Sequence, residues 1–193
     1  MPTDDDTTGT ADVDGDSQVD SEQDIELLLA LVDDLPPPAN VLQALLGAVA
    51  GPWWAPFVRR AASLLDVDAD AMGTLFTAMD DADRWMPGPG DGIELFHIDA
   101  GPAVAGAITG FVRLAPGATF PHHRHVGFED VLVLEGSFSD EHGEVVAGME
   151  APRPASSAHE TRAGVRGCVY LAVSRDGLAF DDEDPIGPDD PRA

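Results

Sequence analysis

Apolar residues recur at helical spacing in the first part of the chain and fall into short runs in the second. Ile25, Leu28, Leu29 and Val32 share one face of a predicted helix. Pro36, Pro37 and Pro38 break the chain, and Asn40 is a cap residue for a second helix carrying Val41, Leu42, Leu45 and Leu46. A third helix is predicted over 56–65. A fourth starts at Asp68 or Asp70 and carries Met72, Leu75, Phe76 and Met79, with aspartates at its positive end. From about Met86 onward Gly and Pro come every few residues, and apolar stretches shorten to strand length at 93–98, 104–114, 131–134, 145–146 and 169–173. Short strands separated by turn residues predict an antiparallel sandwich or barrel. Gly136, Gly143 and Gly148 punctuate the best hairpin candidate. The fold class expected is therefore mainly β, a small barrel over 85–180 preceded by a short helical region over 25–84.

Charge adds the two ends to this picture. Of 193 residues 36 are acidic and ten basic, a formal net charge of -26, and every basic residue is Arg. Residues 1–24 hold nine acids among Thr, Gly and Ser with little to bury, which reads as a disordered acidic tail. Residues 181–193 repeat the theme with six acids and are expected to be loose as well. The Asp12–Asp16 stretch looks like the start of a calcium loop, but Gln23 stands where its bidentate Glu belongs. So negative a surface excludes nucleic acid and anionic membrane as natural partners. The start of the chain lacks the cationic and apolar stretches of a secretory signal, and no apolar run reaches the roughly 20 residues of a membrane span. A single cysteine, Cys168, excludes an internal disulfide. The expected location is the cytoplasm.

The chemistry concentrates between Gly117 and His159. Gly117 is followed after five residues by His123, then His125, then Glu129 after three more, and Gly136 after six. Residues two apart on a strand face the same side, so His123 and His125 can reach one metal, and Glu129 can supply an oxygen from the next stretch. Gly148, Pro154, Ser156 and His159 form a second group, in which His159 offers a fourth ligand. Three imidazoles and a carboxylate suit one divalent ion, zinc first, with iron, manganese, nickel and copper also compatible. Four protein ligands in a closed tetrahedron would make a structural zinc site, whereas a larger coordination number leaves room for water, dioxygen or a substrate oxygen.

These two groups resemble the paired motifs of the cupin superfamily. Gly117, His123, His125, Glu129 and Gly136 fill the first motif, and Gly148, Pro154 and His159 the second; Ser156 stands where a Gly is usual and Ala163 where an Asn is usual. The resemblance implies a jelly-roll barrel with His123, His125, Glu129 and His159 converging on a metal inside it. The run from Phe120 to Gly148, with the later His159, Gly167 and Cys168, is similar to the cupin domain of ChrR-type anti-sigma factors. That resemblance implies a regulatory or sensor protein acting on transcription through a sigma factor or another protein partner. The His and Cys pair of that family's N-terminal zinc motif are missing, since residues 1–84 contain neither residue type. The other reading is a small dioxygenase-like metalloenzyme with an organic small molecule in the barrel. A homodimer joined through edge strands is the default expectation for such barrels.

The remaining candidates each have a plainer reading. His122 faces away from His123 and belongs near the ligands or on the surface, His97 reads as a hydrogen-bonded core residue or a cavity wall, and His142 as a solvated turn residue. Glu160, His97 and His122 are the available proton carriers, and none stands out. Cys168 is either an oxidant-sensing thiol or a small buried hydrophobe. Trp53, Trp54 and Phe57 read as helix packing or a partner anchor, and Arg113, Arg124 and Arg162 as counter-charges or anion ligands at the barrel mouth.

Overall fold

A computed structural model of the chain describes residues 51–181 and 183–190. The two helices expected within 25–46, the N-terminal tail and the Asp12–Asp16 stretch lie outside the described residues. The next two helices form where expected: α1 is Val58–Leu65 and α2 is Ala69–Ala78. Asp68 caps α2 by accepting the Ala71 N–H at 2.7 Å. Met72 and Phe76, four residues apart, bury their side chains on one face. Among the described residues no helix is long and apolar enough to cross a membrane.

Eight strands follow: β1 (Met86–Pro87), β2 (Ile93–His97), β3 (Ile108–Leu114), β4 (Thr119–His125), β5 (Glu129–Asp140), β6 (Gly143–Val146), β7 (Ala158–Ser174) and β8 (Leu178–Phe180). They pair antiparallel in the order β1-β2-β3-β7-β4-β8, with β5 bonded to both β6 and β7. The second half of β7 lies between β3 and β5, while its first half pairs with β4 and the end of β5. One strand thus passes from one side of a curled sheet to the other, as a mainly β cupin barrel requires.

The unbroken apolar runs are explained by burial on both faces. Leu132, Leu134, Leu171 and Val173 point outward and pack beneath the helices with Leu65, Met72 and Phe76. Their neighbours Val131, Val133, Cys168 and Tyr170 point into the barrel with Phe120 and Phe138. Phe76 fixes the helices to the sheet: its ring stacks on Trp54 at 5.4 Å and meets Phe111 of β3 at 5.5 Å. Arg60 of α1 adds a polar clasp, donating to the Gly148 carbonyl at 2.8 Å and to Glu150 at 2.9 Å. Trp54 and Phe57 are therefore packing residues, while Trp53 remains 44% exposed.

Several strand limits differ from the pattern-based expectation. The stretch 104–114 begins in a 3-10 turn, Pro102–Val104, and the strand starts only at Ile108. The runs 131–134 and 169–173 are parts of strands of 12 and 17 residues. Gly143 sits at the start of β6 and Gly148 just beyond its end, where turns were expected, but Gly136 is a bend inside β5. At Gly136 φ is +66°, and a Cβ there would lie 2.0 Å from the Gly167 carbonyl oxygen; Gly167 itself has φ +78°. Two backbones cross at van der Waals contact where β5 and β7 shift register. Beyond β8 the chain was expected to be loose, yet Ile186 is buried and bridges back to Leu178.

Two backbone positions give direct tests. Gly136→Ala adds a left-handed strain and a collision with backbone, and is expected to cost about 3 kcal/mol or more. Gly117→Ala, at φ +73° with nothing within 4 Å of the added methyl, is expected to cost only about 1–2 kcal/mol. Equal losses in denaturant titration would disprove the crossing constraint. Ser156, at the second-motif position where Gly is usual, has φ +66°. Ser156→Gly is expected to raise stability by roughly 0.5–1 kcal/mol, the relief of strain less the entropy of a glycine, and a loss of stability would contradict this.

Candidate metal centre

The four residues predicted from spacing meet inside the barrel. β4 carries His123 and His125 on one face, β5 begins at Glu129, and β7 brings His159 beside His123, to which it is paired in register. One donor atom from each lies within 4.8 Å of the others, and all four side chains are buried. The three imidazole centroids form a near-equilateral triangle with sides of 4.9, 4.7 and 5.0 Å. Bonds of about 2.0–2.2 Å to a common ion would need only small side-chain movements from this arrangement.

Hydrogen bonding prepares two of the rings. His123 Nδ1 sits 2.9 Å from the Pro121 carbonyl, and His159 Nδ1 sits 2.9 Å from Asp140 Oδ2. Carbonyl and carboxylate oxygens only accept, so both rings hold their proton on Nδ1 and keep a lone pair on Nε2. His125 differs: it is fully buried, and neither ring nitrogen has a hydrogen-bond partner. Leaving a buried polar ring unsatisfied costs roughly 1–3 kcal/mol, and a cation among the four donors would remove that cost. The chemistry of the donor set and this orphaned ring both fit a divalent ion.

The protonation states of the three rings suit a cation as well. Burial pushes His123 down to about 4 and His125 to about 3, with neighbouring imidazoles reinforcing the shift. His159 is also lowered by burial, against the pull of Asp140. All three rings are therefore neutral at pH 7, the form that can ligate. Burial pushes Glu129 up to about 7, opposed by Arg153 and Ser174.

The cluster opens onto a cavity of about 70 Å³ lined mainly by apolar side chains, including Phe120, Val131, Phe138, Tyr170 and Phe180; His123, Glu129 and His159 form part of its wall. That space holds a few water molecules or a small organic group.

Asp140 and Arg153 were not apparent from the sequence. Their side chains form a buried ion pair, and the backbone of Arg153 exchanges two hydrogen bonds with Glu129, at 2.9 and 2.8 Å. Asp140 closes the β5–β6 hairpin, and an acid beside a turn is ordinarily solvated, so no sequence signal set it apart.

The other candidates fall elsewhere. His97 is exposed at the end of β2 on the cavity's edge, which corrects the core reading. His122 is exposed and 3.5 Å from Asp181, and His142 is exposed in the hairpin turn. Cys168 is buried among apolar groups with its thiol pushed up to about 12, an inert packing residue rather than a reactive thiolate. Arg113 pairs with Glu94 and covers the Trp85 ring at 3.8 Å. Arg162 borders an open polar hollow with Glu141 and Glu160, which shares His159 with the apolar chamber.

Comparison with known proteins places this geometry in a family. No curated protein matches the chain. Similar solved structures include an acetylacetone dioxygenase from Acinetobacter johnsonii, at 18% identity over 55% of this chain and 81% of that one, TM-score 0.49. Another is Rhodobacter sphaeroides SigE in complex with the anti-sigma ChrR, at 21% identity over 79% of this chain and 76% of that one, TM-score 0.49. The sequence profile described as "ChrR Cupin-like domain" matches residues 74–176, just over half of the sequence and all four clustered donors. The chain belongs to the ChrR cupin-like domain family.

Proposed function

We propose that this chain is a metal-binding regulatory cupin. His123, His125, Glu129 and His159 hold one divalent ion, zinc by first preference, and the state of that site is passed to a protein partner through the helical side of the molecule. When bound, the ion supplies a Lewis-acidic centre that can accept an oxygen donor from the cavity. The observation that carries this reading is the shared sheet. Val131 and Tyr170 face the chamber, while Leu132 and Leu171, the next residues on the same strands, pack beneath α1 and α2. A ligand that shifts the inner face must move against the helices, because a packed core transmits small displacements. The family's association with anti-sigma factors makes a sigma factor the partner to test first.

A second reading, a small dioxygenase-like metalloenzyme, is favoured by the apolar chamber beside three of the four donors. Metal identity separates the two. Closed four-coordinate zinc supports the regulator, and iron or manganese with exchangeable water supports the enzyme.

His123→Ala and His125→Ala are each expected to abolish stoichiometric metal in the purified protein, measured by elemental analysis; full retention in either variant would refute the site. The affinity should also depend on pH in a defined way. Below about 7 the metal-free cluster carries a proton on Glu129 that the ion must expel, whereas His123 and His125 are already neutral. Apparent affinity is expected to rise about tenfold per pH unit from 5 to 7 and then level off. A flat profile over that range would contradict the release of a proton from Glu129 on binding. Pull-down of a sigma factor that survives moderate salt is the expected result for the regulator; its failure across all the sigma factors of the source organism would overturn that partner.

A further inference from the structure

We propose that Asp140, clamped by Arg153, is a positioning residue that locks His159 with its Nε2 lone pair turned toward the other donors. The proposal rests on the metal-binding reading and adds a residue outside the ligand set.

Asp140 has no exposed side-chain surface, and its partners surround it with donors. Oδ1 accepts the His142 backbone N–H at 2.8 Å, and Oδ2 accepts from both the Arg153 guanidinium and His159 Nδ1, the latter at 2.9 Å. An ionised carboxylate has no proton to give, so the His159 contact exists only with the proton on Nδ1. His123 is oriented through a backbone carbonyl, which any sequence could supply at Pro121. For His159 the orienting group is a side chain and therefore open to substitution. Arg153 is 10% exposed and keeps Asp140 charged in a buried setting, where an unpaired carboxylate would be expensive. It also holds Glu129 by the paired backbone hydrogen bonds, so one residue braces the supports of two donors.

The test uses the full chain with imidazole-labelled histidines, first without metal. Long-range proton–nitrogen NMR is expected to show His159 as the Nδ1–H tautomer in the wild type, and to show loss of that preference in Asp140→Ala. Asp140→Asn keeps an acceptor oxygen beside Nδ1 and is expected to restore the tautomer, separating positioning from a general loss of structure. In zinc titrations Asp140→Ala should bind about 10–100-fold more weakly, with His123 and His125 intact. An Nε2–H tautomer in the wild type, an unchanged tautomer in Asp140→Ala, or unchanged zinc affinity in that variant would each overturn the proposal. A wild type that shows the tautomer switch on mutation but binds none of zinc, iron, manganese, nickel or copper would leave Asp140 as the orienting group of His159 and overturn the metal-binding reading instead.

Discussion

The architecture depends on β7 serving two sheet layers at once. Its first residues pair with β4 and set His159 against His123, and its last residues lie between β3 and β5 and carry both the chamber wall and the surface beneath the helices. A 17-residue strand cannot do this while straight. The bend falls at Gly164 and Gly167, where a side chain would strike Ser137 or the Leu114 carbonyl, and β5 gives way at the same place through Gly136. The closing glycine of the first motif is thus the residue that lets two strands cross close enough for their distal donors to meet. Donor geometry and strand crossing are one constraint seen at two positions.

Electrostatics inside the barrel follows from that crossing. Arg153 is the buried guanidinium among the described residues, brought in by the loop between β6 and β7. Its charge opposes protonation of Glu129, His125, Asp140 and His159 alike. For the carboxylates this favours the ionised form, and for the imidazoles the neutral form. Burial alone would keep the rings neutral but would also protonate Glu129. One fixed cation biases both donor types toward the state a metal needs, without itself being a ligand.

What the sequence disclosed was local, and what it concealed depended on chain crossings. His123, His125 and Glu129 lie within seven residues, and strand alternation suffices to put the two rings on one side. His159 was legible because the second motif fixes its distance from Gly148. The helices of 56–65 and 68–79 were legible from apolar spacing and the Asp68 cap, since both depend on nearest turns. The long strands were not, because Gly136 is written like a turn glycine and only the crossing with Gly167 shows that pairing continues through it. Asp140 and Arg153 escaped for the same reason: 13 residues apart, they meet only after the hairpin closes. Ile186 sits alone among acids and prolines, and its burial depends on the existence of β8, which no alternation announced.

The acidity that dominates the composition contributes little to this chemistry. Fifteen of the 36 acids fall in residues 1–24 and 181–190, and only Glu129 supplies a carboxylate to the four-donor cluster. Hydrated acids draw cations of any kind through a screened field and keep them in water, which selects hard ions such as magnesium or calcium weakly. As a metal site the cluster would work by the opposite physics. Its donors are buried, three of the four are nitrogens, and an entering ion must shed most of its water to reach them. Imidazole nitrogen compensates that loss for zinc and its transition-metal neighbours but poorly for the hard ions. On the metal-binding reading, selectivity would reside in dehydration and nitrogen donors, and removing acids from the two ends is expected to leave the metal preference of the barrel intact.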